Sequence, residues 1–200
     1  MIKATHLSKR YGPKMALYDV NFSIGRGEVA GFLGPNGAGK STTMNLLCGY
    51  LEPTWGTVEI AGIDMALHPL EARRHIGYLP EIPPLYMDMT VAEQLLFACD
   101  LRNLPQRGGA RRDYIDSLCR RTELLDVRDR LIRNLSKGYR QRVAVTQLLV
   151  GSPEILILDE PTVGLDPRQI REFRDLLAQL AQEHTIILSS HILSEIRSSC

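Results

Sequence analysis

The sequence predicts an α/β fold built on a parallel sheet, with a helical stretch inserted into it. Three observations carry this. Short apolar runs of strand length recur at 28–34 (EVAGFLG), 154–160 (EILILDE) and 185–190 (TIILSS). An amphipathic helix lies between the last two, and a strand–helix–strand order implies parallel pairing with a right-handed crossover. The stretch from 82 to 150 has helical periodicity and little strand character.

In chain order, VNFSI at 20–24 alternates apolar and polar residues, the mark of a half-buried strand, and TVEIAG at 57–62 reads the same way. EVAGFLG between them is apolar and bounded by glycine, which suits a buried strand. GPNGAGKSTT at 34–43 follows at once, and TTMNLLCGYL continues with helical character. Thr90 and Glu93 form a T-x-x-E capping box ahead of QLLFACDL. A second inserted helix is expected over 111–124, after the Gly108–Gly109 break, and a third from about Tyr139 through RQRVAVTQLLV. Arg102, Arg107, Arg111 and Arg112 make this region locally basic and read as a solvated helix face. EILILDE is a buried strand ending in two acids. Over 169–183, Ile170, Phe173, Leu176, Leu177 and Leu180 form one apolar stripe, read as core. No internal repeat is present, so the chain is one domain: a core of residues 1–81 and 151–200, and a helical subdomain of residues 82–150.

Composition sets outer limits. Two hundred residues, 44% apolar and 24% charged, match a soluble globular domain that can bury its own core. A net charge of +1 supplies no broad field for nucleic acid. The cysteines, Cys48, Cys99, Cys119 and Cys200, are scattered without a C-x-x-C pair and read as reduced, mostly buried thiols. No signal peptide is read at the N-terminus. No apolar run approaches the roughly 20 residues that span a bilayer.

Gly34-x4-Gly39-Lys40-Ser41 has the spacing of a phosphate-binding loop. Such a loop must turn successive backbone N–H groups toward an anion, and side chains would block them. The following helix aims its positive end at the same point. Gly34, Pro35, Asn36, Gly37, Ala38, Gly39, Lys40, Ser41 and Thr42 form the candidate site. Lys40 would reach the β- and γ-phosphates and Ser41 would ligate Mg2+. Asp159 and Glu160 end an apolar strand, where open α/β sheets bind ligands. Asp159 would hold Mg2+ and Glu160 would orient or deprotonate a water. Acids also end many strands for structural reasons. His191 ends the next strand in order and could reach the same crevice.

In this order, these residues resemble the ATP-binding subunits of ABC transporters. LSKGYRQRV at 135–143 is the decisive addition, since it is similar to that family's signature motif and stands just before the acidic strand. The resemblance covers the whole chain. It implies a P-loop NTPase core with a parallel sheet, an N-terminal antiparallel β subdomain and an inserted helical subdomain. It implies ATP hydrolysis, with ATP and Mg2+ as cofactors. Tyr11 matches the aromatic residue that stacks on adenine, or is a surface turn tyrosine beside Gly12. Glu160 matches the catalytic carboxylate and His191 a γ-phosphate contact. Ser136 and Gly138 match residues that bind the γ-phosphate of ATP held by a second subunit, with Lys137 between them in the same signature. Asp166, in GLDP, matches the loop that crosses the dimer interface. The partner is then a second ATP-binding subunit, as in a homodimer.

Three positions depart from the family pattern. Lys137 stands where glycine is usual, and Tyr139 where glutamine is usual. Glu81 stands where a glutamine ligates Mg2+ and touches the transmembrane partner. GYLPE with LSKGYRQRV is similar to subunits of ABC-2-type exporters, including drug-resistance and gliding-motility-associated members. That implies export through a separate transmembrane permease and a cytoplasmic location, peripheral on the inner face of the membrane. IPPLYMDMT at 82–90 would receive the permease, or is an ordinary loop with buried prolines. The resemblance also implies further strands and a helix beyond Cys200. The alternatives are a soluble ABC-type ATPase not coupled to transport, and a nucleotide-binding subunit without turnover. No nucleic-acid partner is expected. The presence of Glu160 and His191 speaks against an inactive subunit.

Overall fold

The computed structural model describes residues 1–105 and 107–190. Among the described residues there are two four-stranded sheets. The first runs β2-β1-β4-β5, made of β1 (Ile2–Tyr11), β2 (Lys14–Ile24), β4 (Trp55–Ile60) and β5 (Ile63–Asp64). Its pairings are antiparallel. The second runs β3-β8-β7-β6, made of β3 (Val29–Leu33), β6 (Ile76–Leu79), β7 (Ile155–Leu158) and β8 (Thr185–Ser190), all parallel. The acid-bearing strand thus pairs with the 185–190 strand, as the crossover argument requires. Four apolar residues in a row suit β7, which is covered on both faces and fully buried.

The strand at 28–34 differs from its reading. It was expected to be buried, but β3 pairs only with β8 among the described residues, and Leu33 is 47% exposed. An apolar run records that a strand has apolar neighbours on its faces. It does not record whether a second strand lies along its free side.

The chain divides into two units. The first comprises Met1–Glu81, Glu154–Pro161 and the residues from Leu177. Both sheets belong to it. They share one core with α1 (Lys40–Leu47), in which Met44, Leu46 and Leu47 meet Ile60, Ile157 and Ile187. Helix α2 (Pro69–Arg74) leads into β6, starts with proline in its first turn and ends on two arginines, as its dipole favours.

The second unit comprises Ile82–Pro153 and Thr162–Leu176. Residues 162–176 therefore group with the helical stretch, where the sequence reading gave them to the core. Helix α3 (Val91–Leu101) starts on the capping box: Glu93 N–H donates to Thr90 Oγ1, and Thr90 N–H donates back to Glu93. Helix α4 (Gly108–Arg121) begins three residues before its expected start. Helix α5 (Lys137–Leu149) begins two residues before Tyr139, with Ser136 as its N-cap accepting from Tyr139 N–H. Helix α6 (Pro167–Leu180) carries the apolar stripe, of which Phe173, Leu176, Leu177 and Leu180 are buried. Arg111 corrects the solvated-face reading. It is buried, pairs with Asp100 and donates to Leu104 O at 2.9 Å.

Gln94 is also buried, and its amide is shared three ways. It accepts from Tyr86 N–H at 2.9 Å and donates to Pro84 O at 3.4 Å and Gln147 Oε1 at 2.8 Å. The segment 84–86 is thereby held by a side chain of α3. Beyond it, Ile132 and Arg133 N–H donate to Met89 and Met87 carbonyls.

Cys48, Cys99 and Cys119 are free and buried, as the sequence suggests. Burial raises all three thiols, Cys119 to about 11. These three should resist alkylation in folded protein at pH 8 and react once urea unfolds it, as peptide mass spectrometry would show. Replacing Ile157, wholly buried in the shared core, by alanine should cost about 2–5 kcal/mol in a urea titration.

Candidate functional site

A parallel sheet places the C-terminal ends of its strands along one edge. In the first unit that edge collects the loop after β3, the acids after β7 and Glu81 after β6. Strand β8 lies between β3 and β7, so the loop and the acids flank its last residues. Leu33 pairs with Ser190, and Leu158 with Leu188, so β7 ends two residues short of β3 and β8 and its acids continue alongside the last residues of β8.

The loop ends on Gly39, the N-cap of α1, with φ of 94°. Only glycine holds that angle without strain. Packing imposes a second demand, because a Cβ there would stand 2.7 Å from Leu17 Cδ2 and 2.9 Å from Ala16 O. Strand β2 thus lies against the loop's end. No side chain caps α1, so its first N–H groups are not claimed by a cap. Pro35, Asn36, Gly37, Ala38 and Ser41 are exposed, while Gly34, Gly39 and Thr42 are half-buried. Thr43 is turned inward and donates to Gly39 O at 2.9 Å.

Lys40 runs back beneath the loop. Its ammonium donates to Gly34 O at 2.7 Å and Pro35 O at 3.3 Å, and stands 3.1 Å from Glu160 Oε1. Both side chains are 9% exposed. A buried charge is tolerated only when paired, and here the lysine pairs with the strand acid while tying both to the loop.

Glu160 sits at φ 47°, a left-handed conformation that costs a side-chain-bearing residue energy. Ser189 holds it there. Glu160 N–H donates to Ser189 Oγ at 2.8 Å, and Ser189 Oγ donates to Asp159 Oδ1 at 2.6 Å. Asp159 N–H also donates to Leu79 O at 2.8 Å, joining it to the end of β6. One buried hydroxyl therefore orients both acids. Sequence reasoning found its strand but not Ser189. The available signal was a pair of hydroxyls ending an otherwise apolar run beside the acidic strand.

The other predicted residues are placed as follows. Glu81 is exposed, two positions past β6. Tyr11 ends β1, 45% exposed, with Lys9 Nζ 5.4 Å from its ring centre. Ser136, Lys137, Gly138 and Asp166 lie in the second unit. Asp166 Oδ1 accepts from Arg168 and Gln169 N–H, both at 2.9 Å, and so caps α6. His191 lies outside the described residues. Among the described residues no group of three or more His, Cys, Asp or Glu side chains forms a metal cluster. No helix there is long and apolar enough to cross a membrane.

Residues 17–163 match the family model described as ABC transporter. The chain belongs to that family. BcrA, a bacitracin transport ATP-binding protein of Bacillus licheniformis, is 40% identical over 198 residues, which are 98% of this chain and 63% of that protein. The chain thus spans less than two thirds of that ABC relative's length. cbiO1 from Clostridium perfringens, part of the ABC transporter complex cbiONQ, superposes with a TM-score of 0.90 at 31% identity, over 100% of this chain and 81% of that one. A dimeric post-hydrolysis state of an ATP-binding cassette bound to ADP and Pi superposes with a TM-score of 0.87 at 27% identity, over 99% of this chain and 91% of that one. The two-sheet and helical arrangement described above is the ABC fold.

Ser189→Ala leaves the Glu160 N–H without its acceptor in a buried place. It should destabilise the protein by about 1–3 kcal/mol, read as a lowered urea midpoint. An unchanged midpoint would mean that the hydroxyl does not hold this corner.

Proposed function

We propose that the chain is the ATP-hydrolysing subunit of an exporter, closing as a homodimer around ATP and driving transport through a separate ABC-2-type permease. The observation that carries this is the buried Lys40–Glu160 pair, which joins the glycine loop to the strand acid at one sheet edge. The BcrA and cbiO1 likenesses support transport, and the dimeric cassette supports the paired state. The permease docks on the segment 82–90 and places the chain at the inner membrane face.

The loop receives the triphosphate. Backbone N–H groups of residues 37–41 and the positive end of α1 face it. Lys40 exchanges its bonds with the Gly34 and Pro35 carbonyls and its contact with Glu160 for phosphate oxygens. That exchange frees the Glu160 carboxylate to accept from a water, as an attacking nucleophile needs. Ser189 keeps Asp159 and Glu160 aimed while the lysine moves. Tyr11 offers an exposed ring for adenine, and Lys9 beside it adds positive charge.

Ser41, Asp159 and Glu81 present only oxygen donors, the set that a small hard divalent cation takes. Mg2+ bound there would neutralise charge on the β- and γ-phosphates. Ser136 and Gly138 of the second copy face the same γ-phosphate, with Lys137 between them and Asp166 on the loop that crosses the dimer interface, and His191 is its proposed contact in this copy. Catalytic gain comes mainly from position and electrostatics.

Glu160→Gln removes the base but keeps the size of the side chain. ATP turnover should fall by about 10²–10⁴-fold. ATP binding should persist, and with ATP the variant should run as a dimer in gel filtration. Copurification of this trapped dimer from membranes should bring down a polytopic membrane protein. A parent without Mg-ATP hydrolysis would end the enzyme reading. Capture of ribosomes, DNA or a soluble complex instead would end the transport reading.

Lys40→Ala should abolish ATP binding in equilibrium titration while the chain stays folded by circular dichroism. Retained affinity would remove Lys40 from the phosphate site.

A further inference from the structure

Two side chains in the second unit cross between the start of α5 and the segment that leads into α6, each lying over the other segment's glycine. From the signature stretch, Lys137 extends over Gly164, where its ammonium fills the space that a Cβ would take. From α6, Gln169 lies over Gly138: a Cβ there would stand 3.1 Å from Gln169 Cδ and 3.2 Å from its Cγ. Gly164 has φ of 72°, so its loop turns back under the lysine in a conformation glycine alone holds easily.

Gln169 is itself fixed at the start of α6. Its N–H donates to Asp166 Oδ1 at 2.9 Å, and its Oε1 accepts from Asp166 N–H at 3.3 Å. This is a reciprocal cap, of the same logic as Thr90 and Glu93. One turn further along both helices, Arg142 of α5 stands 3.6 Å from Glu172 of α6, which also pairs with Arg168 at 2.9 Å. The two helix starts are thus joined at three successive levels, by Lys137 on Gly164, Gln169 on Gly138 and Arg142 at Glu172.

We infer that Lys137 and Gln169 are positioning residues that lock the signature stretch 135–138 at the start of α5 to the loop 162–166, so that both meet the second copy's nucleotide in one fixed relation. The inference rests on the ATP-bound dimer proposed above. Gln169 acts only through its neighbours. Its stem packs on Gly138 and its amide holds Asp166, so it sets a proposed phosphate contact against the loop proposed to cross the dimer interface. Lys137 gives the family departure at this position a structural role. The usual glycine would leave Gly164 uncovered and remove one of the crossings. Chemistry that depends on placement is sensitive to such slack, since misplacing a contact by about 1 Å can cost roughly a hundredfold in rate.

The test is a double-mutant cycle on Gly138→Ala and Gln169→Ala in the full chain. Gln169→Ala should lower kcat for ATP roughly tenfold, with KM for ATP changed by less than about twofold. Gly138→Ala alone should lower kcat further, because its methyl group meets Gln169. The double variant should be faster than Gly138→Ala, because the obstructing side chain is gone. Lys137→Gly should lower kcat in the same way, and Lys137→Arg should retain it. Independent, multiplying effects would overturn the inference, as would a change in KM alone. A parent that hydrolyses no ATP would sink the functional reading instead. The same four proteins then decide the interlock by thermal unfolding. A smaller shift for Gly138→Ala in the Gln169→Ala background supports it, and additive shifts overturn it.

Discussion

The arrangement at the sheet edge depends on keeping one ammonium out of water without leaving it alone. Lys40 lies under its loop because Gly34 and Pro35 turn their carbonyls toward it and Glu160 faces it. Three neighbouring strands deliver this arrangement. The carbonyls follow β3, the carboxylate follows β7, and Ser189 on β8 between them fixes the acids. A parallel order brings these ends together, and the strained φ of Glu160 persists because its surroundings over-determine it. The fold and the site are therefore one problem in electrostatics. The sheet has to be continuous across three strands for the charge to be paired.

The two units divide the chemistry. The first holds the loop, both acids and Glu81, the groups proposed to face the chain's own nucleotide. The second holds Ser136, Lys137, Gly138 and Asp166, the groups proposed to face a neighbour's. In the proposed dimer each nucleotide takes one set from each chain. This is the physical basis for reading a chain with one glycine loop as half of a pair.

Much of this was legible because it is written locally. The glycine loop between strand and helix, the T-x-x-E box and the acids after ILIL each depend on residues a few positions apart. Strand β1 was not placed within a region read as short strands, because its pairing slips at three places between Ala4 and Arg10. His6 sits there at φ 50°. Slips of that kind destroy the alternation by which strands are recognised. Arg111 was misread because a sequence displays a charge but not its partner, and Asp100 lies on the preceding helix. Ser189, and the crossing of Lys137 and Gln169, were invisible for the same reason. They are contacts between segments far apart in the chain, and no spacing encodes them.

Gln94 shows what such borrowed support allows. The backbone at Pro84 and Tyr86 is shaped by an amide from α3, and its own side chains take no part in those bonds. Ile82, Tyr86 and Met87 stand outward, at 84%, 53% and 43% exposure. Shape and surface are thereby inherited separately along this stretch. A change in its outward residues would alter the surface without releasing the chain, whose path stays in the keeping of a buried side chain.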